Sequence, residues 1–322
     1  MYYFIVNPAS CSGRGGAIWQ ELKQYLDREG IEYKVFFSEH GGHVEELIKD
    51  LTVGHMDDPE AINAVILGGD GTLDEALQGI ADFDKINIGY IPTGSSNDFA
   101  RAFGISDTPV ERLRKILSCK EPVRLDLGRL KYVDMDSEHS RIAGETVSPL
   151  RFFDVSCGIG FDAAICEEAL NAGSKSFLNR IGLGKLTYLL ICLKQLFGAK
   201  LTSGTLILDG EERIEFKKLR FIVGMNTRFE GGGFKFAPSA VPDDGYIDIC
   251  AVNDISTLEV LLTLPKAPKG RHITNKHIHM YKVKSYEVIT EDPVWVHTDG
   301  EVYTKARHIK VSCLPGKLRF LG

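Results

Sequence analysis

The chain has 322 residues, 43% of them hydrophobic and 25% charged, and its 38 Lys and Arg against 44 Asp and Glu leave a net charge of -6. That composition suits an ordinary globular protein with room for two domains, and the acidic balance excludes a nucleic-acid binder, which needs surplus cations to displace counterions. No window reaches the ~18 uninterrupted apolar residues of a membrane span; the nearest stretch, Leu186 to Phe197, is cut by Lys194 and Gln195.

The amino terminus, Met1 to Val6, has no basic segment before its apolar run and breaks at Asn7-Pro8. It reads as a strand and not a signal peptide, so a cytoplasmic protein is expected. The first ~120 residues then alternate short apolar runs with amphipathic stretches, the signal of βαβ units. Tyr3 to Val6, Tyr33 to Phe37, Ala64 to Leu67 and Ile86 to Ile91 are the predicted strands. Ala17 to Glu29, Gly42 to Leu51, Thr72 to Ile80 and Asn97 to Phe103 are the predicted helices. After Glu121-Pro122 the period becomes two, in Val123 to Leu130, Thr205 to Leu208, Leu219 to Met225, Tyr246 to Val252 and Val294 to Val296. Asp209-Gly210, Asp244-Gly245 and Asp299-Gly300 punctuate these segments as hairpin turns. A helical stretch from Phe161 to Phe197, broken near Gly173 and at Gly182 to Gly184, interrupts them. The expected fold is α/β followed by all-β: an open parallel-sheet domain over 1–122, then an antiparallel β-sandwich with inserted helices over 123–322. The last residues are free to pack back on the first domain. Seven cysteines, an odd count without a Cys-x-x-Cys pair or zinc spacing, read as free thiols.

Three first-domain strands end in loops of small residues that open into helices. In open α/β sheets ligands bind at the carboxyl ends of strands, where helix amino termini offer N–H groups to anions. The first loop, Asn7-Pro8-Ala9-Ser10-Cys11-Ser12-Gly13-Arg14-Gly15-Gly16, fits neither the P-loop nor the dinucleotide fingerprint, and stands as a turn or a phosphate loop. In the second, Gly68-Gly69-Asp70-Gly71-Thr72, Thr72 and Glu75 have capping-box spacing. An aspartate there repels a phosphate unless Mg²⁺ bridges the two; the alternative is that Asp70 shapes a turn or caps a helix. The third, Pro92-Thr93-Gly94-Ser95-Ser96-Asn97-Asp98, offers hydroxyls and an amide that cap a helix or hold a nucleotide. His277 and His279 read as strand histidines without a third metal ligand. Lys266, Lys269, Arg271, His272 and Lys276 form a locally basic segment, either a solvated loop or a patch for anionic headgroups.

The second loop resembles the nucleotide loop shared by diacylglycerol, sphingosine, ceramide and NAD kinases and 6-phosphofructokinases. Pro92 to Arg101 is similar to the Gly-Thr-Gly-Asn-Asp-Phe-Ala-Arg segment of the lipid-kinase branch. Gly158-Ile159-Gly160-Phe161-Asp162, Asn226 through Gly231-Gly232-Gly233, Ala237-Pro238, Ala240 and Asp244-Gly245, and Asp299-Gly300-Glu301 extend the likeness over nearly the whole chain, towards the soluble bacterial diacylglycerol kinases. The resemblance implies an NAD kinase- or phosphofructokinase-like first domain and a lipid kinase that uses ATP and Mg²⁺. The expected reaction turns diacylglycerol into phosphatidic acid at the inner membrane surface, with a homodimer left open. It implies ATP contacts at Asn7, Ser10, Ser38, Gly68, Gly69, Asp70, Gly71, Thr72, Thr93, Gly94, Ser95 and Asn97, with Asp70 reaching the nucleotide's Mg²⁺ through water. It implies a structural Mg²⁺ at Asp244 with the carbonyls of Val241 and Tyr246, where the residues alone favour a plain turn. It also implies a general base at Asp299 first and Glu301 second, where the residues alone read as a hairpin. Asp74 and Ser95-Ser96 depart from the family pattern and put efficiency in question. A kinase for a soluble acceptor and a non-catalytic nucleotide-binding regulator are the competing readings.

Overall fold

The computed structural model describes residues 1–136, 149–171, 184–198 and 200–322. Strands Tyr2–Val6 (β1), Tyr33–Phe37 (β2), Ile62–Gly68 (β3) and Ile86–Pro92 (β4) pair in parallel in the order β2-β1-β3-β4. Parallel neighbours need crossovers, supplied by helices Gly15–Glu29, His43–Gly54 and Asp70–Gly79. With helices on both faces, each strand is apolar on both. Phe4, Val6, Val65 and Leu67 bury against Trp19, Leu22 and Leu26; Tyr3, Ile5, Ala64 and Ile66 bury against Ile48, Leu73 and Leu77.

A helix not read from the sequence, Pro109–Ser118, starts on a capping box made by Thr108 and Glu111. Its buried Arg112 donates to the carbonyls of Tyr90 at 2.9 Å and Leu321 at 3.0 Å, pinning the chain's end to β4.

From residue 123 the described strands are Val123–Met135 (β5), Leu150–Phe153 (β6), Ser156–Gly160 (β7), Thr202–Leu208 (β8), Glu212–Met225 (β9), Ile247–Asn253 (β10), Ile278–Val283 (β11), Ser285–Thr298 (β12) and Glu301–Leu321 (β13). Their mutual ladders are antiparallel, and β7 and β8 each bridge β9 and β12, so these four strands close on one another. β13 runs antiparallel to β12 and β5, then ends parallel to β4 with Phe320 beside Ile88. The carboxyl terminus thus completes the first sheet.

Asp299 and Gly300, at φ 50° and 86°, form a two-residue turn between Thr298 and Glu301, the geometry Asp-Gly favours. Asp244-Gly245 is not a hairpin turn: it ends the connection into β10, where the Asp126 carboxylate accepts from the Gly245 N–H at 2.6 Å. Helices Phe161–Asn171 and Gly184–Gly198 occupy the two ends of the predicted helical stretch; the expected breaks near Gly173 and at 182–183 lie outside the described residues, and Gly184, the last residue of the second break, opens the second helix. A second helix missed from sequence, Thr257–Thr263, also opens on a capping box, from Ser256 and Glu259.

A buried ion pair joins the halves. Arg151 Nη2 lies 2.7 Å from Asp74 Oδ2, Nε donates to Thr298 Oγ1 at 3.1 Å, and the guanidinium stacks 3.9 Å from the Tyr303 ring centroid. Burial works to lower the Arg151 pKa, and Asp74 and Tyr303 more than reverse it. Removing one member of such a pair strands the other charge. Asp74→Ala is therefore expected to destabilise the fold by about 3–5 kcal/mol, and Asp74→Asn, which keeps an acceptor for Arg151, by clearly less. Urea midpoints at unchanged slope check this; an Asp74→Ala midpoint equal to wild type would contradict it.

Candidate functional site

The carboxyl ends of β1, β3 and β4 lie side by side, because Val6 pairs with Leu67 and Gly68 with Pro92. The ladder continues one residue into each loop: Asn7 N–H donates to Leu67, Ser38 N–H to Val6 and Thr93 N–H to Gly68. Side chains then tie the loops together. Asn7 Nδ2 donates to Thr72 Oγ1 at 3.1 Å, Ser10 Oγ to the Asn7 carbonyl at 2.8 Å, and Thr93 Oγ1 to Ser10 Oγ at 2.8 Å. Thr72 does not form the capping box its spacing suggests: the helix begins at Asp70 on Gly69 with no side-chain cap, and Glu75 accepts from Val44 N–H instead.

The glycines allow the loops to touch backbone to backbone. A Cβ on Gly94 would stand 2.7 Å from Gly69 Cα, and one on Gly15 would stand 2.3 Å from the Asn7 carbonyl oxygen. Asn97, at φ 48°, brackets Gly94 by accepting from its N–H and donating to its carbonyl, both at 2.9 Å. Ser95 is exposed at the loop tip. Asn7, Ser10, Gly68 to Thr72, Thr93, Gly94 and Asn97 are thus assembled on one edge, with Ser38 one strand further out on β2.

Carboxyl groups from both halves converge on this edge. Asp98 accepts from Gly232 N–H on both oxygens, at 3.1 and 3.0 Å, joining the third loop to the triple-glycine segment. Asp70 Oδ1 is buried without a hydrogen-bond partner. Burial, with Asp98 and Asp299 nearby, raises the Asp70 pKa to about 6 against the partial opposition of backbone N–H groups at Asp98 and Asn97. A buried, unpartnered carboxylate oxygen within a glycine loop fits a hard cation carried by a phosphate.

Asp299 and Glu301 take different places. Asp299 Oδ2 accepts from Asp154 N–H at 2.9 Å, and Oδ1 from Val155 N–H at 2.9 Å and Ser156 N–H at 2.8 Å. Burial raises the pKa of Asp299 and of the adjoining Asp154 carboxyl, and the three N–H bonds make Asp299 the member that stays ionised. Glu301 reaches the nucleotide-type loop: a Cβ placed on Gly71 would stand 3.0 Å from its Oε1. The expected order, Asp299 before Glu301, is therefore not the order of reach, because the Asp299 lone pairs are committed to the backbone.

The Asp244 site does not fit a divalent cation. Its Oδ2 is paired with the Lys282 ammonium and its Oδ1 accepts from Tyr246 N–H at 3.1 Å, so a monovalent protein cation already occupies the carboxylate expected to join the Val241 and Tyr246 carbonyls. Asn226 is structural as well: its Nδ2 donates to the Asp126 carbonyl at 2.8 Å and the Asp154 carbonyl at 3.1 Å.

Sequence reading missed the group behind the Asp299-Gly300 turn. His297 is fully buried, its Nδ1 accepts from Gly300 N–H at 3.2 Å, and its Nε2 lies 3.2 Å from both Asp162 Oδ2 and Glu230 Oε1. Burial works to lower the His297 pKa, and Glu230 and Asp162 more than reverse it, to about 9, so the bond from Gly300 belongs to the neutral ring and is given up when Nδ1 is protonated; burial lifts Glu230 to about 7. A histidine interrupting the apolar run Val294-Trp295-Val296 was the available signal.

Residues 1–130 match the diacylglycerol kinase catalytic domain family, and residues 156–322 match the YegS C-terminal NAD kinase beta sandwich-like domain family. YtlR of Bacillus subtilis is 28% identical over 303 residues, spanning 94% of this chain and 93% of its own length. A Mycobacterium tuberculosis protein named diacylglycerol kinase is 28% identical over 260 residues, 80% of this chain and 75% of its own. A solved Bacillus anthracis structure described as a diacylglycerol kinase shares the fold with a TM-score of 0.65 at 17% identity, covering 99% of this chain and 96% of that one. Among the described residues no helix is long and apolar enough to cross a membrane. Loops, converging carboxyl groups and both family matches agree, and the chain belongs to the diacylglycerol kinase family in its YegS-like lipid-kinase branch.

Proposed function

We propose that this chain is an ATP- and Mg²⁺-dependent kinase that transfers the γ-phosphate to a lipid hydroxyl, with diacylglycerol as acceptor and phosphatidic acid as product. The reading divides the chain near residue 122 into a nucleotide-binding domain and a β-sandwich domain, and has it work in the cytoplasm against the membrane surface. The observation that carries it is the Glu301 carboxylate from one half lying over Gly71 in the nucleotide-type loop of the other.

Asn7, Ser10, Ser38, Gly68 to Thr72, Thr93 to Ser95 and Asn97 would line the nucleotide, with the amino-terminal end of the helix that opens at Asp70 facing its phosphates. Asp70 would hold the cation, and Mg²⁺ bound there with ATP would offset charge on the phosphate oxygens. Glu301 would take the acceptor's proton as its oxygen bonds the γ-phosphorus and the bond to the leaving β-phosphate oxygen breaks. Asp299 would hold the turn that aims Glu301. Asp74, which with Ser95-Ser96 motivated a non-catalytic reading, is paired with Arg151, so one of the two grounds for that reading has a structural explanation.

Glu301→Gln is expected to lower kcat for labelled-phosphate transfer to diacylglycerol by about 10²–10⁴-fold while calorimetric ATP affinity stays as in wild type. Asp299→Asn should lose activity together with thermal stability. A stable, inactive Asp299→Asn beside a fully active Glu301→Gln would return the base to Asp299. Asp70→Asn should weaken ATP binding in the presence of Mg²⁺ and leave binding in EDTA unchanged; equal losses in both would remove the cation from its role.

The His297 cluster sets a pH dependence. Both shifted groups hold protons more tightly folded than unfolded, so each stabilises at low pH: Glu230 fully below about 4.5 and not above about 7, His297 fully below about 6.5 and not above about 9. Urea midpoints should therefore fall from pH 7 to pH 9, and His297→Gln or Glu230→Gln should flatten that fall. An equally steep fall in both variants would assign it elsewhere.

A further inference from the structure

The three most exposed large apolar side chains among the described residues are Phe197, Leu258 and Leu262, at 70%, 66% and 63%. They belong together. Leu258 and Leu262 are four residues apart and share one face of helix Thr257–Thr263. The other side of that helix packs inward through Val260 and Leu261 against Phe161, Ile165 and Leu196. Arg220 ties this helix to the end of helix Gly184–Gly198: Nη1 donates to the Leu196 carbonyl at 3.3 Å and Nη2 to Thr257 Oγ1 at 3.0 Å. Phe197 and Leu258, each next in sequence to an Arg220 contact, therefore stand on one rim.

Immediately after the helix come four exposed cations, Lys266, Lys269, Arg271 and Lys276. Elsewhere Lys23, Lys115, Lys282 and Lys310 are ion-paired; none of these four makes a side-chain hydrogen bond or ion pair among the described residues. Between residues 257 and 277 they face a single carboxylate, Glu259, in a chain whose net charge is -6. An exposed leucine face flanked by unpaired cations matches the chemistry of an anionic bilayer, where leucines enter the acyl boundary and cations meet headgroups. The inner side of the helix continues inward as an apolar cavity lined by Phe161, Phe221, Phe236, Ile255, Val260 and Leu264. Phe161 adjoins Asp162, which contacts His297 beneath the Asp299-Gly300 turn.

We propose that helix Thr257–Thr263, with Phe197 and the cationic segment 266–276, is the face that seats this protein on an anionic lipid surface. The proposal rests on the lipid-acceptor reading for its purpose and on the exposed leucines and unpaired cations for its location.

The test compares Leu258→Ser/Leu262→Ser and Lys266→Ser/Lys269→Ser with wild type, none of these positions being in the proposed transfer site. Co-sedimentation uses vesicles of equimolar phosphatidylglycerol and phosphatidylcholine, and vesicles of phosphatidylcholine alone. The leucine variant should lose about tenfold or more in partitioning onto both. The lysine variant should lose about 25-fold on anionic vesicles only, about fivefold per cation, and raised salt should abolish that difference. Turnover of diacylglycerol presented in the anionic vesicles should fall in parallel, while turnover of a short-chain, monomeric diacylglycerol stays at wild-type level. Variants that bind both vesicle types like wild type would overturn the docking face. So would a leucine variant whose only change is loss of self-association in sizing chromatography, which would make the face a contact between copies. Failure of wild type to phosphorylate either lipid form would sink the acceptor reading instead, and the vesicle binding alone would then judge the face.

Discussion

The Asp299 carboxylate, gripped by three consecutive backbone N–H groups of Asp154, Val155 and Ser156, is the constraint on which the site depends. A carboxylate accepting several amide bonds is a strong, directional anchor. It fixes a turn only two residues long, so Glu301, the next residue, has no freedom to choose its direction. Gly300 is clamped from the other side by His297, and the Asp154 carbonyl is in turn held by Asn226. Asp299 and Asn226, both within motifs that carry the family resemblance, are thus bonded to the backbone around the turn that leads into Glu301.

That frame is built from an unusual concentration of buried acid. Asp70, Asp74, Asp98, Asp154 and Asp299 act on one another's protonation, and all five have pKa values raised chiefly by burial. Arg151 answers Asp74, Gly232 N–H answers Asp98, and the 154–156 amides answer Asp299. Asp70 Oδ1 and Asp154 Oδ2 are left unanswered by the protein. A buried carboxylate oxygen without a partner is costly, and of these two Asp70 is the one that stands within a glycine loop.

The parallel half was legible because each strand and its crossover helix are local and both faces of the sheet are apolar, so periodicity alone locates Tyr33–Phe37 to the residue. Local signals failed where side chains were claimed by distant partners. Thr108-x-x-Glu111 and Ser256-x-x-Glu259 form real capping boxes and went unread, whereas Thr72-x-x-Glu75 has the spacing and forms none, because Asn7 and Val44 take those side chains. The pair of Arg151 with Asp74 spans 77 residues and that of His297 with Asp162 spans 135, distances over which no pattern in the chain records a contact. Likewise nothing local reveals that Asp244, where the resemblance implied a metal and the residues alone a plain turn, meets Lys282, delivered from β11.

β13 explains how the two halves keep register. It starts at Glu301, over the Gly71 loop, and at its far end lies parallel to β4 with Phe320 beside Ile88. On the way a bulge at Pro315 to Lys317 redirects it, with Gly316 at φ 59° and its N–H held by Asp126 at 2.8 Å. The same Asp126 carboxylate holds Gly245, so the turn into β10 and the bend of β13 share one anchor. Arg112 then locks the carbonyl of the strand's last residue, Leu321, onto the helix that packs against β4. One continuous strand therefore bonds the acidic turn at its start to the nucleotide-type sheet at its end. Arg151 closes the other side through Asp74, so the two halves are held both by this strand and by a buried ion pair. An opening between the halves wide enough to part Arg151 from Asp74 would strand two buried charges, which opposes it.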